Sequence, residues 1–294
     1  MASSDYRVGL VGVGRMGANM ARRLKDRGFV LVGVHDSDEP RAQELAKELD
    51  CEACVSPARL ASLANIVLTV VSDDAAMRGT GEPASPCEGP AAHQLRDVVA
   101  GDSSRDSKSL VECEGGMTLE ACMASSIPQA RQGRLYLMCG GRPEAFERAR
   151  PLLQELSAHL RFIGPAGKAA KVKALVNMVM NANTAALAEG LGLGAALDLD
   201  LTMLREVFAQ TGANSRVLET DGEDMQHRAH DCYFSAARAA KDSGIAVALA
   251  GEVGLDLPLA KATYAQYRRL VDSGKGELDK SSVAELTFKD RLDR

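Results

Sequence analysis

The chain opens with a short apolar run, Arg7-Val8-Gly9-Leu10-Val11. Gly12-Val13-Gly14-Arg15-Met16-Gly17 follows at once, and then Ala18-Asn19-Met20-Ala21-Arg22-Arg23-Leu24, an amphipathic helix start. Three glycines at this spacing between a strand and a helix leave few folds open. Gly12 permits a tight turn, Gly14 lets backbone N–H groups approach a pyrophosphate, and Gly17 lets the helix pack closely on the strand. The helix presents a positive N-terminus to the anion. A second apolar run, Val30-Leu31-Val32-Gly33-Val34, ends in His35-Asp36. Asp36 lies about 20 residues past the glycines, where an acid accepts hydrogen bonds from the adenosine ribose hydroxyls and repels a 2′-phosphate. This context predicts a dinucleotide site built from Gly12, Val13, Gly14, Arg15, Met16, Gly17 and Asp36, with NAD favoured and NADP as the alternative. The competing reading is a glycine turn that only joins a strand to a helix.

The first half continues to alternate. Glu39 to Leu49 reads as a helix, Asn65 to Val71 as a buried strand, and Ser72-Asp73-Asp74 as its polar exit. Leu135 to Cys139 reads as another strand, Pro143 to about His159 as a helix, and Arg161-Phe162-Ile163 as a last strand closing at Gly164-Pro165. From Lys168 strand signals vanish, and helices are expected over Lys168–Leu197, Leu201–Thr211, Phe234–Val253 and Pro258–Ser273. The fold class is therefore α/β: an N-terminal Rossmann-type dinucleotide-binding domain over residues 1–165, then an all-α domain over 166–294. The first long helix is apolar on nearly all sides, which predicts burial between domains or subunits. One stretch departs from the pattern. Gly79 to Ser107 is rich in Gly, Pro, Ser and Asp with only short apolar pieces such as Val98-Val99, and reads either as an irregular loop or as a local frame error. Phe288 to Arg294 reads as solvated.

Composition excludes several classes of partner. The formal net charge of −5 and the even scatter of 35 Lys and Arg leave no basic stripe for nucleic acid. No run approaches the roughly 20 uncharged apolar residues of a membrane span, and Met1-Ala2-Ser3-Ser4-Asp5 lacks the basic start of a signal peptide. The expected compartment is the cytoplasm. Seven scattered cysteines fit reduced thiols. Cys51-Glu52-Ala53-Cys54 has metal or redox spacing but no second pair to complement it, and His227-Arg228-Ala229-His230-Asp231-Cys232 reads as a surface loop or helix start. No metal site is expected.

Within the long apolar helix, Lys173, Asn177, Asn181 and Thr184 fall within roughly 80° of one another at 100° per residue. Burying an unpartnered amide costs on the order of 1–3 kcal/mol, so such a stripe faces either a ligand or a satisfied interhelical network. The surrounding run, Gly164-Pro165-Ala166-Gly167-Lys168-Ala169-Ala170-Lys171-Val172-Lys173-Ala174-Leu175-Val176-Asn177, resembles the β-hydroxyacid dehydrogenase signature GxxGxGxxxKxxxN, with Ala169 at the third glycine. Together with the GxGxMG turn, it makes the chain similar to the 3-hydroxyisobutyrate dehydrogenase and glyoxylate or succinic semialdehyde reductase family. The likeness covers most of the chain outside Gly79 to Thr118.

The resemblance implies a nucleotide-binding domain followed by a helical domain like that of 6-phosphogluconate dehydrogenase, with the active site in the cleft. It implies a hydride transfer between a nicotinamide cofactor and a small 3-hydroxy acid or its semialdehyde. It selects Lys173, rather than Lys168 or Lys171, as the catalytic proton carrier and Asn177 as the substrate-positioning amide. Leu119-Glu120-Ala121-Cys122-Met123-Ala124-Ser125-Ser126 takes the place of the family's DAPVSGG substrate loop, with Ser125 and Ser126 where its glycines stand. Phe234 through Lys241-Asp242 resembles the family's F…KD element, which puts Phe234 and Asp242 at the substrate and Lys241 at the cofactor; a solvated ion pair is the alternative for Lys241 and Asp242. Ser72 completes the expected cofactor contacts. A homodimer or homotetramer is implied as well. Two rival functions share the fold: a non-catalytic dinucleotide-binding scaffold, and an imine reductase, which usually lacks this lysine.

Overall fold

Alternate residues of the first strands enter two different cores, as the two-residue period of a pleated strand requires. In β1 (Arg7–Val11) and β4 (Ile66–Thr69), Val8, Leu10, Ile66 and Leu68 pack with Ala21 and Leu24 of α1 (Arg15–Asp26) and Leu45 and Leu49 of α2 (Glu39–Leu49). Val11 and Val67 pack on the other face with Leu60 of α3 (Pro57–Leu63). Helices on both faces explain why these strands are continuously apolar. The computed structural model describes residues 5–71, 116–124 and 127–292, with backbone alone at 97–100. Contacts divide the chain into two compact units, Met1–Lys173 and Ala174–Arg294.

The first unit is built on an eight-stranded sheet of order β3-β2-β1-β4-β5-β6-β7-β8. The remaining strands are β2 (Val30–His35), β3 (Glu52–Ala53), β5 (Asp97–Ala100), β6 (Met117–Met123), β7 (Leu135–Gly141) and β8 (Ser157–Gly164). Strand order reverses at β1, which lies between β2 and β4; crevices at the carboxyl ends of strands at such a switch point bind ligands in open α/β sheets. β5 supplies a strand from within the anomalous stretch, pairing in parallel with β4 and β6. The rest of Gly79 to Ser107 lies outside the described residues. The sheet is not wholly parallel, because β6 meets β7 antiparallel. Their connection, residues 124–134, is shorter than the dozen or more residues a parallel crossover needs, and its described part carries the short α4 (Ile127–Gln132). α5 (Pro143–Leu156) does provide such a crossover, and β8 is parallel to β7. α5 ends before the expected His159, since Ser157 and His159 are already paired with Leu135 and Tyr136 of β7.

The helical unit takes in most of α6 (Lys168–Ala196), then α7 (Leu201–Ala209), α8 (Arg216–His227), α9 (Ala236–Glu252) and α10 (Pro258–Leu270), and a 3-10 turn at Lys280–Leu286. Asp200 caps α7 by accepting from Thr202 N and Met203 N, and Ser235 caps α9 by accepting from Arg238 N. Leu187, Leu191, Leu218, Met225, Tyr267, Leu270 and Phe288 share its core. α8 was not expected, because its few apolar residues give a weak stripe; Val217, Leu218 and Met225 are nonetheless buried. In the C-terminal segment Lys289 and Asp290 are exposed as expected, but Phe288 and Arg291 are not. Phe288 is buried, the Arg291 guanidinium lies 3.8 Å from its ring centre, and Arg291 donates to the Met225 and Gln226 carbonyls.

Candidate active site

The glycine turn fits a dinucleotide on steric grounds. Gly12 has φ +83°, and a Cβ there would lie 2.3 Å from the Val70 carbonyl oxygen; a Cβ on Gly17 would lie 2.1 Å from the Gly12 oxygen. Neither position admits a side chain. Gly14 differs, because a Cβ there would meet nothing within 4 Å. Its missing side chain leaves space above the turn, which is where a pyrophosphate would approach. α1 starts at Arg15 without a side-chain cap and without an acid in its first turn, so its N-terminal N–H groups suit an anion. Arg15 is exposed at this end, Met16 is half-buried and Val13 is buried.

Asp36 is positioned by the same turn. One carboxylate oxygen accepts from Val13 N at 2.7 Å, and the other accepts from Asp38 N at 2.9 Å. Arg41 reaches Asp36 at only 3.9 Å and pairs with Asp38 at 2.8 Å. His35 Nδ1 donates to the Cys54 carbonyl. The acid at the end of β2 is thus held toward the turn that would carry the pyrophosphate.

α6 carries the second group of expected site residues. Lys173 is half-buried and Lys171 exposed. Asn177, one turn beyond Lys173, is buried and donates from Nδ2 to Asp242 Oδ2 at 2.6 Å. The signature run on α6 and the acid of the Lys-Asp element on α9 therefore meet. Asp242 is half-buried, whereas Lys241 is exposed. In the other half of the polar stripe, Asn181 Nδ2 donates across to the Ala239 carbonyl and to Ser243 Oγ of α9, while Thr184 donates within α6 to the Met180 carbonyl. Of the apolar residues of this helix, Leu175, Val176 and Val179 are 51%, 39% and 53% exposed on the single chain.

Two acids that the sequence reading passed over hold these parts in place. Asp279 accepts from Tyr233 N and Phe234 N, clamping the half-buried Phe234 ahead of α9, and from Ser281 N. Its Asp-x-Ser-Ser context is a readable turn-capping signal. Glu120, in the segment aligned with the substrate loop, is buried and accepts from Gly167 N at 2.6 Å. Leu119 to Met123 belong to β6 rather than to a loop. Ser72, Ser125 and Ser126 lie outside the described residues.

The cysteine pair is divided between two cores, and one histidine of the second cluster is buried. Cys51 packs against the core under α1 and α2, and Cys54 belongs to the core under α3, so the two thiols face opposite sides of the sheet. Burial pushes both thiols up to about 11. The segment 227–232 is exposed, running from the end of α8 into a loop as expected, except for His230, which is buried with Nδ1 2.8 Å from Ser281 Oγ and Nε2 3.4 Å from Glu285 Oε1. Among the described residues no cluster of His, Cys, Asp and Glu is arranged to hold a metal, and no helix is long and apolar enough to cross a membrane.

A strand-turn-helix cradle for a dinucleotide, joined through α6 to a helical domain, defines a nicotinamide-dependent oxidoreductase class. Residues 7–164 match the family model for the NAD-binding domain of 6-phosphogluconate dehydrogenase. Residues 167–287 match that for the NAD-binding domain of NADP-dependent 3-hydroxyisobutyrate dehydrogenase. The chain belongs to the β-hydroxyacid dehydrogenase family. It is 27% identical over 283 residues to glyoxylate/succinic semialdehyde reductase 1 of Arabidopsis thaliana, covering 95% of this chain and 97% of the relative. A solved 3-hydroxyisobutyrate dehydrogenase of Mycobacterium tuberculosis with L-serine superposes with a TM-score of 0.81 at 22% identity, over 96% of this chain and 98% of that one. An imine reductase from Pseudomonas sp. is more distant, with a TM-score of 0.61 at 16% identity over 95% of this chain and 98% of that one. At these identities both structures speak to the fold alone.

Proposed function

We propose that this chain moves a hydride between a nicotinamide dinucleotide and the carbinol carbon of a small 3-hydroxy acid, or reduces the matching semialdehyde. The observation that carries the reading is the 2.6 Å contact from Asn177 to Asp242, which joins the lysine-bearing helix to the Lys-Asp element. A bound nicotinamide ring supplies the hydride acceptor or donor. Lys173 carries the proton: its ammonium is disfavoured beside a positive oxidised ring, so it takes a proton in oxidation, and it gives one to the carbonyl oxygen in reduction. Asn177, anchored by Asp242, offers its amide to the reacting oxygen. Ser125 and Ser126 bind the substrate carboxylate through hydroxyl and backbone N–H groups, and Phe234 closes the apolar side. Gly12, Val13, Gly14, Arg15, Met16, Gly17, Asp36, Ser72 and Lys241 receive the cofactor, with NAD preferred.

The glyoxylate/succinic semialdehyde reductase likeness supports this substrate class. We assign residues 1–165 to cofactor binding and 166–294 to the helical domain; the two family models meet between residues 164 and 167. We further assign a homo-oligomer through the exposed Leu175, Val176 and Val179 face, and a cytoplasmic setting. The test is absorbance at the nicotinamide band with a panel of small hydroxy acids and semialdehydes. Turnover of any member supports the enzyme, and its absence throughout, with cofactor bound, leaves a dinucleotide-binding scaffold.

A further inference from the structure

Glu120 is a carboxylate placed where a strand should be apolar. It sits mid-strand in β6, is 3% exposed, and shares a sheet face with Cys122, which packs with Met138 of β7 and with Ala169, Ala170 and Val172 of α6. Directly across the antiparallel ladder from Glu120 is Gly140. A Cβ on Gly140 would lie 2.9 Å from Glu120 Oε2, 3.1 Å from Ala169 Cβ and 3.2 Å from Ala169 N. The missing side chain lets the carboxylate pass over β7 to the start of α6. There Oε1 accepts from Gly167 N at 2.6 Å, a charge-assisted bond at the positive end of a 29-residue helix.

We infer that Glu120 is a positioning residue, tethering the N-terminus of α6 to the sheet and so fixing the direction and proton affinity of Lys173. The inference rests on the proposed role of Lys173. Lys173 lies six residues beyond Gly167, about 9 Å along the helix, and one residue of slippage in α6 would turn it by about 100°. A negative charge held at the start of this helix favours the ammonium over the free amine, so its removal lowers the lysine's proton affinity.

The test compares the full-length wild type with Glu120→Gln, Glu120→Asp and Gly140→Ala. The readouts are amide exchange of residues 165–172 by mass spectrometry, NADH titration, and kcat against pH. Glu120→Gln keeps the shape and removes the charge, so the kcat limb assigned to Lys173 moves to lower pH, and kcat falls about tenfold. NADH affinity stays within about threefold, because the glycine turn is untouched. Glu120→Asp keeps the charge but shortens the reach; its limb stays near the wild-type position while exchange at 165–172 quickens about tenfold, as for loss of one hydrogen bond of typical strength. Gly140→Ala displaces the carboxylate and quickens the same exchange without altering any charge. Unchanged exchange in Glu120→Asp and Gly140→Ala overturns the tether. A wild-type pH limb and kcat in Glu120→Gln overturns the link to Lys173. If Lys173→Ala itself keeps full activity, the catalytic reading fails, and exchange at 165–172 alone then decides the tether.

Discussion

Gly14 and Gly17 differ by three positions in the sequence and should fail for opposite reasons when replaced by alanine. In Gly17→Ala the new Cβ would begin 2.1 Å from the Gly12 oxygen, against ordinary carbon–oxygen contacts of about 3.3 Å, so α1 must retreat from the turn by about 1 Å. Overpacking of that kind costs about 1–3 kcal/mol of stability. It also carries the N-terminal N–H groups of α1 out of hydrogen-bond range of a fixed pyrophosphate. In Gly14→Ala the Cβ meets nothing within 4 Å, and the backbone, at φ −60° and ψ −172°, suits any residue. The free protein should keep its stability within about 0.5 kcal/mol. The methyl nevertheless fills space a close-approaching pyrophosphate needs, and NADH affinity should drop at least tenfold, about 1.4 kcal/mol. Thermal unfolding by circular dichroism and NADH titration by fluorescence separate the two: Gly17→Ala loses both quantities, Gly14→Ala only affinity. If Gly14→Ala binds NADH as tightly as the wild type, no pyrophosphate lies on this turn and the cofactor assignment is refuted.

Asp36 predicts tighter binding of NADH than of NADPH by at least tenfold, and Asp36→Asn should narrow that ratio; equal affinities in the wild type would show that the acid does not read the ribose. Burial holds the His230 imidazole below its usual range despite Glu285, Asp224 and Asp279 nearby. Its contribution to stability is therefore present above the unfolded value of about 6.5 and is lost as pH falls through the lowered folded value. In a proton NMR titration assigned with His230→Gln, its midpoint should lie below 6.5, and a midpoint above that value contradicts the buried neutral ring. Val179→Lys places a charge on the exposed apolar face of α6 and should dissociate the proposed oligomer in sedimentation, whereas an unchanged mass would show that this face is not an interface.

The cofactor turn was legible because its constraints are local. Gly12 and Gly17 are excluded from bearing a Cβ by atoms of the same strand-turn-helix unit and the adjacent strand end, and Asp36 follows along the neighbouring strand. The direction of the α6 stripe was equally local, since helical geometry alone groups Lys173, Asn177, Asn181 and Thr184. What met the stripe was not. Asn177 finds Asp242 and Asn181 finds Ser243 across more than sixty residues of chain, and only the packing of α9 on α6 separates a site contact from a structural network. Glu120 and Asp279 were missed for the same reason, as their partners are 47 and up to 46 residues away. Ser157 to His159 continued the α5 pattern in sequence, yet pairing with β7 drew them into a strand. The exposure of Leu175, Val176 and Val179 shows a further limit: an apolar helix declares that it must be covered without declaring by what.

The proton carrier is the central claim, and steady-state kinetics of Lys173→Ala beside Lys171→Ala tests it most directly. Lys171 projects about 160° away from Lys173 on α6 and is exposed, so it serves as an internal control. The account predicts that Lys173→Ala lowers kcat by at least about 100-fold with NADH affinity changed less than about threefold, while Lys171→Ala stays near wild type. Loss of turnover in Lys171→Ala with retention in Lys173→Ala would contradict it, and would take the roles of Asn177 and Asp242 with it.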